Sequence, residues 1–122
     1  MNGLEAVADA IMKFEGWQPG TKSYRNRNPG NLEDGLGNYK VFSSFVEGYS
    51  ALLSDLEDKF LGHTRTGLGP DSTILQLMMK YAPPSDNNPT QAYTDFICGW
   101  CTKALGKTIV TTTPLKEIWS VD

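Results

Sequence analysis

"KFEGWQPGTKSYRNRNPGNL", residues 13 to 32, joins the end of an apolar helical pattern to a segment with almost nothing to bury. Upstream of it, Leu4, Val7, Ala8, Ile11, Met12 and Phe14 recur at roughly helical spacing, so residues 3 to 14 are expected to form an amphipathic helix. Gly16 is a natural stop, and Pro19-Gly20 repeats the break. Glu15 is thereby left at the C-terminal end of an apolar helix, between Phe14 and Trp17. Downstream, "YRNRNPGNLE" at 24 to 33 packs three asparagines, two arginines, a proline and a glycine into ten residues. That composition is too polar for a core and too rich in turn formers for a strand. It is either a plain loop or a surface built to hold something.

Working outward, residues 18 to 38 are mostly Gly, Asn, Pro and charge, and irregular segments of that length are usually functional or disordered. "NYKVFSSF" carries aromatic and β-branched residues and alternates weakly, so a short strand or hairpin is expected near 39 to 43. Ser43 or Ser44 is suited to cap the next helix, with Glu47 completing a capping box. Phe45, Tyr49, Leu52, Leu53, Leu56 and Phe60 then give a helical stripe over 45 to 61. After a glycine-rich connector, Asp71 or Ser72 is expected to cap a helix carrying Ile74, Leu75, Leu77, Met78 and Tyr81. "APPSDNNP" stops it, and a further helix starts near Pro89 or Thr90 and ends at Gly106. "IVTTT" reads as extended chain or strand leading into a last short helix, "PLKEIW". The fold class is therefore mainly α, with a small β hairpin or strand between the first and second helices, in one domain spanning 1 to 122.

Composition narrows the function. The 122 residues are 39% hydrophobic and 20% charged, a globular balance, with three Trp, five Tyr and five Phe to build a core and line a groove. A net charge of −3 offers no global field for a polyanion, so nucleic acid is not the expected partner; Lys22, Arg25 and Arg27 form only a local basic patch. No apolar run approaches the roughly 20 residues of a membrane span. The first residues carry Glu5 and Asp9 and do not read as a signal peptide, so the chain is expected to be made in the cytoplasm and to reach any outside target by another route. Cys98 and Cys101 form a Cys-x-x-Cys with no second pair. Helical thiols, a disulfide, and redox or metal chemistry are the readings open to them. His63 stands alone, and neither a metal site nor a cofactor is expected.

Glu15 is the sharpest candidate for chemistry. Partial desolvation beside Phe14 and Trp17 penalises its charged form, and the negative end of the helix dipole acts in the same direction. A carboxylic acid kept neutral can protonate a leaving oxygen, as cleavage of a glycosidic bond requires. The simpler reading is a solvated helix-end glutamate. Asn28-Pro29-Gly30-Asn31 reads first as a turn and second as a rigid display of amides for a polar ligand such as a sugar. Tyr24, Tyr39 and Phe42 flank it, and each serves equally well as a stacking platform or as core.

Taken in order, the blocks "KFEGW", "PGT", "SYRNRNPGNL", "SFVEGYSALLSDL" and "KYAPPSDNNPTQAY" resemble a family of lysozyme-like domains akin to soluble lytic transglycosylases. These occur in phage proteins and in bacterial cell-wall enzymes. The resemblance spans roughly residues 5 to 106. It implies a lysozyme-like helical fold with a small β region, acting on the glycan strands of peptidoglycan. By position it makes Glu15 the general acid, places Asn28 and Asn31 along the cleft, and brings Tyr81 and Tyr93 close to the glutamate. Muramidase, lytic transglycosylase and cell-wall N-acetylglucosaminidase activities all remain open under it. So does a non-catalytic glycan-binding or phage structural module. A hydrolase commonly needs a second carboxylate; Glu33 is the candidate for that role, with Asp34 next to it. The expected protein is monomeric in isolation and carried to the wall by a virion or secretion assembly.

Overall fold

The computed structural model describes residues 2 to 120. Six α-helices run in the order α1 (Gly3–Phe14), α2 (Lys22–Arg25), α3 (Phe45–Leu61), α4 (Ile74–Tyr81), α5 (Thr90–Leu105) and α6 (Leu115–Trp119), with a 3-10 turn at Pro84–Asp86. Helix α1 is the axis of the packing and touches α3, α5 and α6. It can do so because Ala6, Ala8 and Ala10 keep its surface thin while Val7 and Ile11 fill the gaps, all fully buried. Around it Leu52 and Leu56 of α3, Leu77 and Met78 of α4, Tyr93 and Ile97 of α5 and Ile118 of α6 complete the core. Among the described residues no helix is long and apolar enough to cross a membrane.

Local signals explain most helix ends. Asn2 and Glu5 form a capping box at the start of α1, and Ser44 accepts from the Glu47 N–H at the start of α3. The cap of α4 is Thr73, rather than Asp71 or Ser72, because Gln76 stands three residues on and returns the hydrogen bond. Helix α2 is a single turn that apolar periodicity cannot reveal; Thr21 caps it. The 109–113 segment, expected to be extended or a strand, instead makes a turn, in which the Thr113 N–H donates to the Val110 carbonyl and the Val110 N–H to the Thr113 hydroxyl. Its Thr111 and Thr113 carbonyls accept from Leu75 and Ile74, satisfying free N–H groups of the first turn of α4.

The expected β hairpin or strand near 39 to 43 is not present. Only an isolated antiparallel bridge joins Glu33 to Tyr39. Asp34 closes the intervening loop by accepting from the N–H groups of Leu36 and Asn38. Gly35 and Gly37 have positive φ there, and past Lys40 the Phe42 N–H turns away to the Asn26 carbonyl. Leu36, Tyr39 and Val41 are exposed, so the segment has no apolar face to bury. β-propensity without such a face does not make a strand.

Two glycines let the 27–30 segment press onto the helices. A Cβ on Gly48 would lie 1.9 Å from the Arg27 carbonyl oxygen, and one on Gly30 would lie 2.6 Å from the Tyr81 hydroxyl and 2.7 Å from Leu52 Cδ1. Gly48→Ala is therefore expected to cost about 1–3 kcal/mol by overpacking. Gly99→Ala, at an exposed helical position with open space around it, is expected to raise stability by about 0.5–1 kcal/mol. Urea melts of the two variants, run beside the parent protein, check both signs.

Candidate functional site

Helix α1 ends in a Schellman motif: the Gly16 N–H donates to the Lys13 carbonyl and the Trp17 N–H to that of Met12. Gly16 supplies the positive φ that the motif requires. Glu15 is the last residue before this turn, and its backbone is fixed. Its side chain lies on a groove of about 820 Å³, whose walls come from the 30–40 loop, the middle of α3 and the α4–α5 connection. Both carboxylate oxygens are held. Asn31 Nδ2 donates to Oε1 at 2.9 Å, and the Tyr93 hydroxyl donates to Oε2 at 2.6 Å.

The two donors are positioned by different parts of the molecule. Tyr93 is buried on α5, with its ring stacked on Phe14 at 4.0 Å. Burial, with the Tyr81 hydroxyl and Glu15 nearby, holds the Tyr93 hydroxyl far above the ordinary tyrosine range. It therefore keeps its proton and donates it in the hydrogen bond to Glu15. Asn31 adopts the left-handed region at φ 49°, which asparagine tolerates, and this aims its amide at Glu15. The loop beneath is anchored by Tyr81, whose hydroxyl donates to the Gly30 carbonyl at 2.5 Å. Burial, followed by the charge of Glu15, also raises the Tyr81 hydroxyl well above its usual range.

The two asparagines of the turn have different jobs. Asn28 does not face the groove: it is 0% exposed. Its amide donates to the carbonyls of Leu32 and Lys40, and its own oxygen accepts from the Leu32 N–H, all at 2.9 Å. A side chain so buried and fully bonded cannot also contact a sugar, which corrects the expectation for this residue. Tyr24 and Phe42 are likewise not among the groove-lining residues; Tyr24 packs on Trp17 at 4.9 Å between ring centres. Glu15, Asn31, Glu33, Tyr39 and Tyr81 do line the groove, with Tyr93 directly behind Glu15. Glu33 is exposed there and so shares the groove with Glu15.

Sequence reasoning missed one whole wall. Ala51, Ser54, Asp55, Asp58 and Lys59 of α3 line the groove, and Asp55 is bonded to Lys59 at 2.6 Å. Their spacing is that of one helical face, so a polar stripe opposite the leucines was available as a signal. The exposed Ser85, Asp86 and Asn87, with the half-buried Asn88, add a polar edge from the α4–α5 connection. Elsewhere, Cys98 and Cys101 are both free and buried. Among the described residues no group of three or more His, Cys, Asp or Glu side chains is placed to hold a metal ion. No family model, curated protein or solved structure matches the chain, so functional argument rests on the geometry of the site itself.

The asparagines and cysteines each give a test. Asn28→Ala takes away the partners of the Leu32 N–H and the Lys40 carbonyl, leaves the Leu32 carbonyl only its bond from the Lys40 N–H, and is expected to cost about 1–3 kcal/mol. Asn31→Gly keeps the left-handed backbone, is expected to change stability by less than about 1 kcal/mol, and strips one donor from Glu15. Chemical denaturation separates the pair. Burial pushes the Cys98 thiol up to about 11 and that of Cys101 to about 12, from an ordinary 9.0. The unfolded chain thus releases these protons first as pH rises. Their contribution to stability is full below pH 9.0 and is lost between 9.0 and about 12. At neutral pH both thiols are expected to react with a thiol reagent only as fast as the native protein opens.

Proposed function

We propose that the protein cleaves the glycan strands of peptidoglycan, with Glu15 as the general acid. The observation that carries this reading is the Glu15 carboxyl, held on the groove between the Asn31 amide and the Tyr93 hydroxyl. A strand lying in the groove would place a glycosidic oxygen at Glu15. Glu15 gives that oxygen its proton, the bond from the sugar's anomeric carbon breaks with its electron pair going to the oxygen, and the ring is left with oxocarbenium character. The new carboxylate is then stabilised by donors already aimed at it, so little reorganisation is needed during the step.

Two ends to the reaction fit this start. In one, water attacks the anomeric carbon, with Glu33 on the same groove as the carboxylate that takes its proton. In the other, Glu15 itself removes a proton from the 6-hydroxyl of the N-acetylmuramic residue, and that oxygen closes an anhydro ring. Hydrolysed, anhydro and N-acetylglucosaminidase products differ in mass or terminal sugar, so mass spectrometry of digested peptidoglycan separates them. Delivery to the wall by a virion or secretion assembly is part of the same proposal, since a chain of net charge −3 gains little from long-range attraction to an anionic wall.

Glu15→Gln keeps the shape of the side chain and removes the transferable proton. It is expected to slow clearing of purified cell walls by about 10³-fold, in the usual range for loss of a general acid, while the melting temperature stays close to that of the parent. Full clearing by this variant ends the proposal. Wall binding without release of reducing or anhydro ends, by the parent protein, would make it a binding module instead.

A further inference from the structure

Leading up to the groove, the segment 16 to 32 contains no Asp or Glu but carries Lys22, Arg25 and Arg27, within a chain of net charge −3. All three are exposed, and among the described residues none has a carboxylate within ion-pair distance. The Arg25 guanidinium is steadied by a 2.9 Å hydrogen bond from Nη1 to the Gly20 carbonyl. Beside these cations lies an aromatic surface. Tyr24 is 41% exposed and Phe45 40%, and the half-buried Trp17 joins them, with ring centres 4.9 Å from Tyr24 and 5.1 Å from Phe45. Exposed aromatic rings of this size are costly in water unless something covers them.

The patch is continuous with the groove. Lys22 Nζ lies 3.6 Å from the centre of the Tyr39 ring, and Tyr39 lines the groove. One face of Tyr39 is therefore already taken by a cation, so Tyr39 offers less stacking surface than its exposure suggests. No cation covers Tyr24 or Phe45; Trp17 packs on both and Tyr49 stacks on Phe45, and what stays exposed of each ring is the side turned away from these neighbours.

The geometry points to a second binding surface, built from Tyr24, Phe45, Arg25 and Arg27, for an acidic glycan whose sugars carry carboxylates. An aromatic face packs against the apolar face of a sugar ring, and a guanidinium pairs with a carboxylate through parallel hydrogen bonds. Together the two select a saccharide that is both ring-faced and anionic. Single-stranded nucleic acid also uses stacking plus cations, but its backbone is charged at every unit, and the adjoining groove, where Glu15, Glu33, Asp55, Asp58 and Asp86 outnumber Lys40, Lys59 and Lys80, is a poorer continuation for it than for a glycan whose carboxylates sit only on alternate sugars. The inference takes from the proposed function only the identity of the strand. Binding on this surface requires no turnover.

The experiment is an NMR titration of the Glu15→Gln protein with peptide-free wall glycan bearing free lactyl carboxylates. The same strands with those carboxylates converted to amides serve for comparison. The expected result is that backbone amides at 22 to 27 and 45 to 46 shift with the acidic strands. Amidation, or the paired change Tyr24→Ser with Arg27→Gln, is expected to weaken that binding about tenfold. Shifts confined to the groove residues overturn the second surface and leave the proposed function standing. Shifts on the patch with a silent groove, and no wall cleavage by the parent, do the reverse. Equal shifts with amidated strands, tighter binding of a single-stranded oligonucleotide at the same amides, or no shifts at all overturn the inference. The titration of Glu15→Gln needs no patch variant, so a misfolded double variant does not spoil the test.

Discussion

The Asn28 side chain does the hydrogen bonding that a paired strand would otherwise supply. From a fully buried position it ties the Leu32 N–H and the carbonyls of Leu32 and Lys40 to one amide. Backbone groups left without partners are costly, so this amide, together with the Lys40 N–H bond to the Leu32 carbonyl and the Asp34 N–H bond to that of Asn38, holds the 28–40 segment in shape. The rest of the site depends on this. With the loop pinned, Gly30 rests against Tyr81 and Leu52, and Arg27 and Pro29 rest against Gly48. Asn31, one residue past Gly30, then has no freedom except to face Glu15.

The groove floor is a meeting of three elements that are far apart in the chain. The end of α1 contributes Glu15, the loop contributes Asn31, and α5 contributes Tyr93. The stack of Phe14 on Tyr93 links the residue before Glu15 to its hydrogen-bond partner, so the packing that builds the core also sets the geometry of the carboxyl. The tyrosines keep their protons throughout the accessible pH range, because burial and the nearby carboxyl both oppose their ionisation. In the proposed reaction they thus hold and donate hydrogen bonds without giving up a proton.

Much of this was legible in the sequence, and the unread parts have a common cause. The stripe from Leu4 to Phe14, the stop at Gly16 and the place of Glu15 follow from periodicity and turn chemistry, which are local. Asn28 and Asn31 are the same residue type in the same turn. Which one points inward is decided by how the loop meets Gly48 and Leu52, and that is not local. The wall formed by Ser54, Asp55 and Asp58 was present as a polar stripe, but any exposed helix face looks alike until its neighbours are known. The strand expected near 39 to 43 had the right residue types. What it lacked was a partner and a buried face, and neither can be read from residue type.

Charge distribution is the last step that ties site to surroundings. Overall the chain is negative, yet the segment from Gly16 to Leu32 carries only cations, while carboxylates crowd the groove around Glu15 against Lys40, Lys59 and Lys80. At physiological ionic strength exposed charges are screened over about 8 Å, so an approaching chain responds to the nearest patch and not to the net charge. A strand with anionic substituents is thus attracted at the α2 rim and opposed at the groove floor. For the proposed glycan strand, that asymmetry would favour one arrangement: substituents held outward over Arg25 and Arg27, with the neutral sugar backbone passing Tyr39 toward Glu15. Under the proposed function, an acidic protein could act on an acidic polymer on these terms, because attraction and chemistry would fall to different, adjoining surfaces.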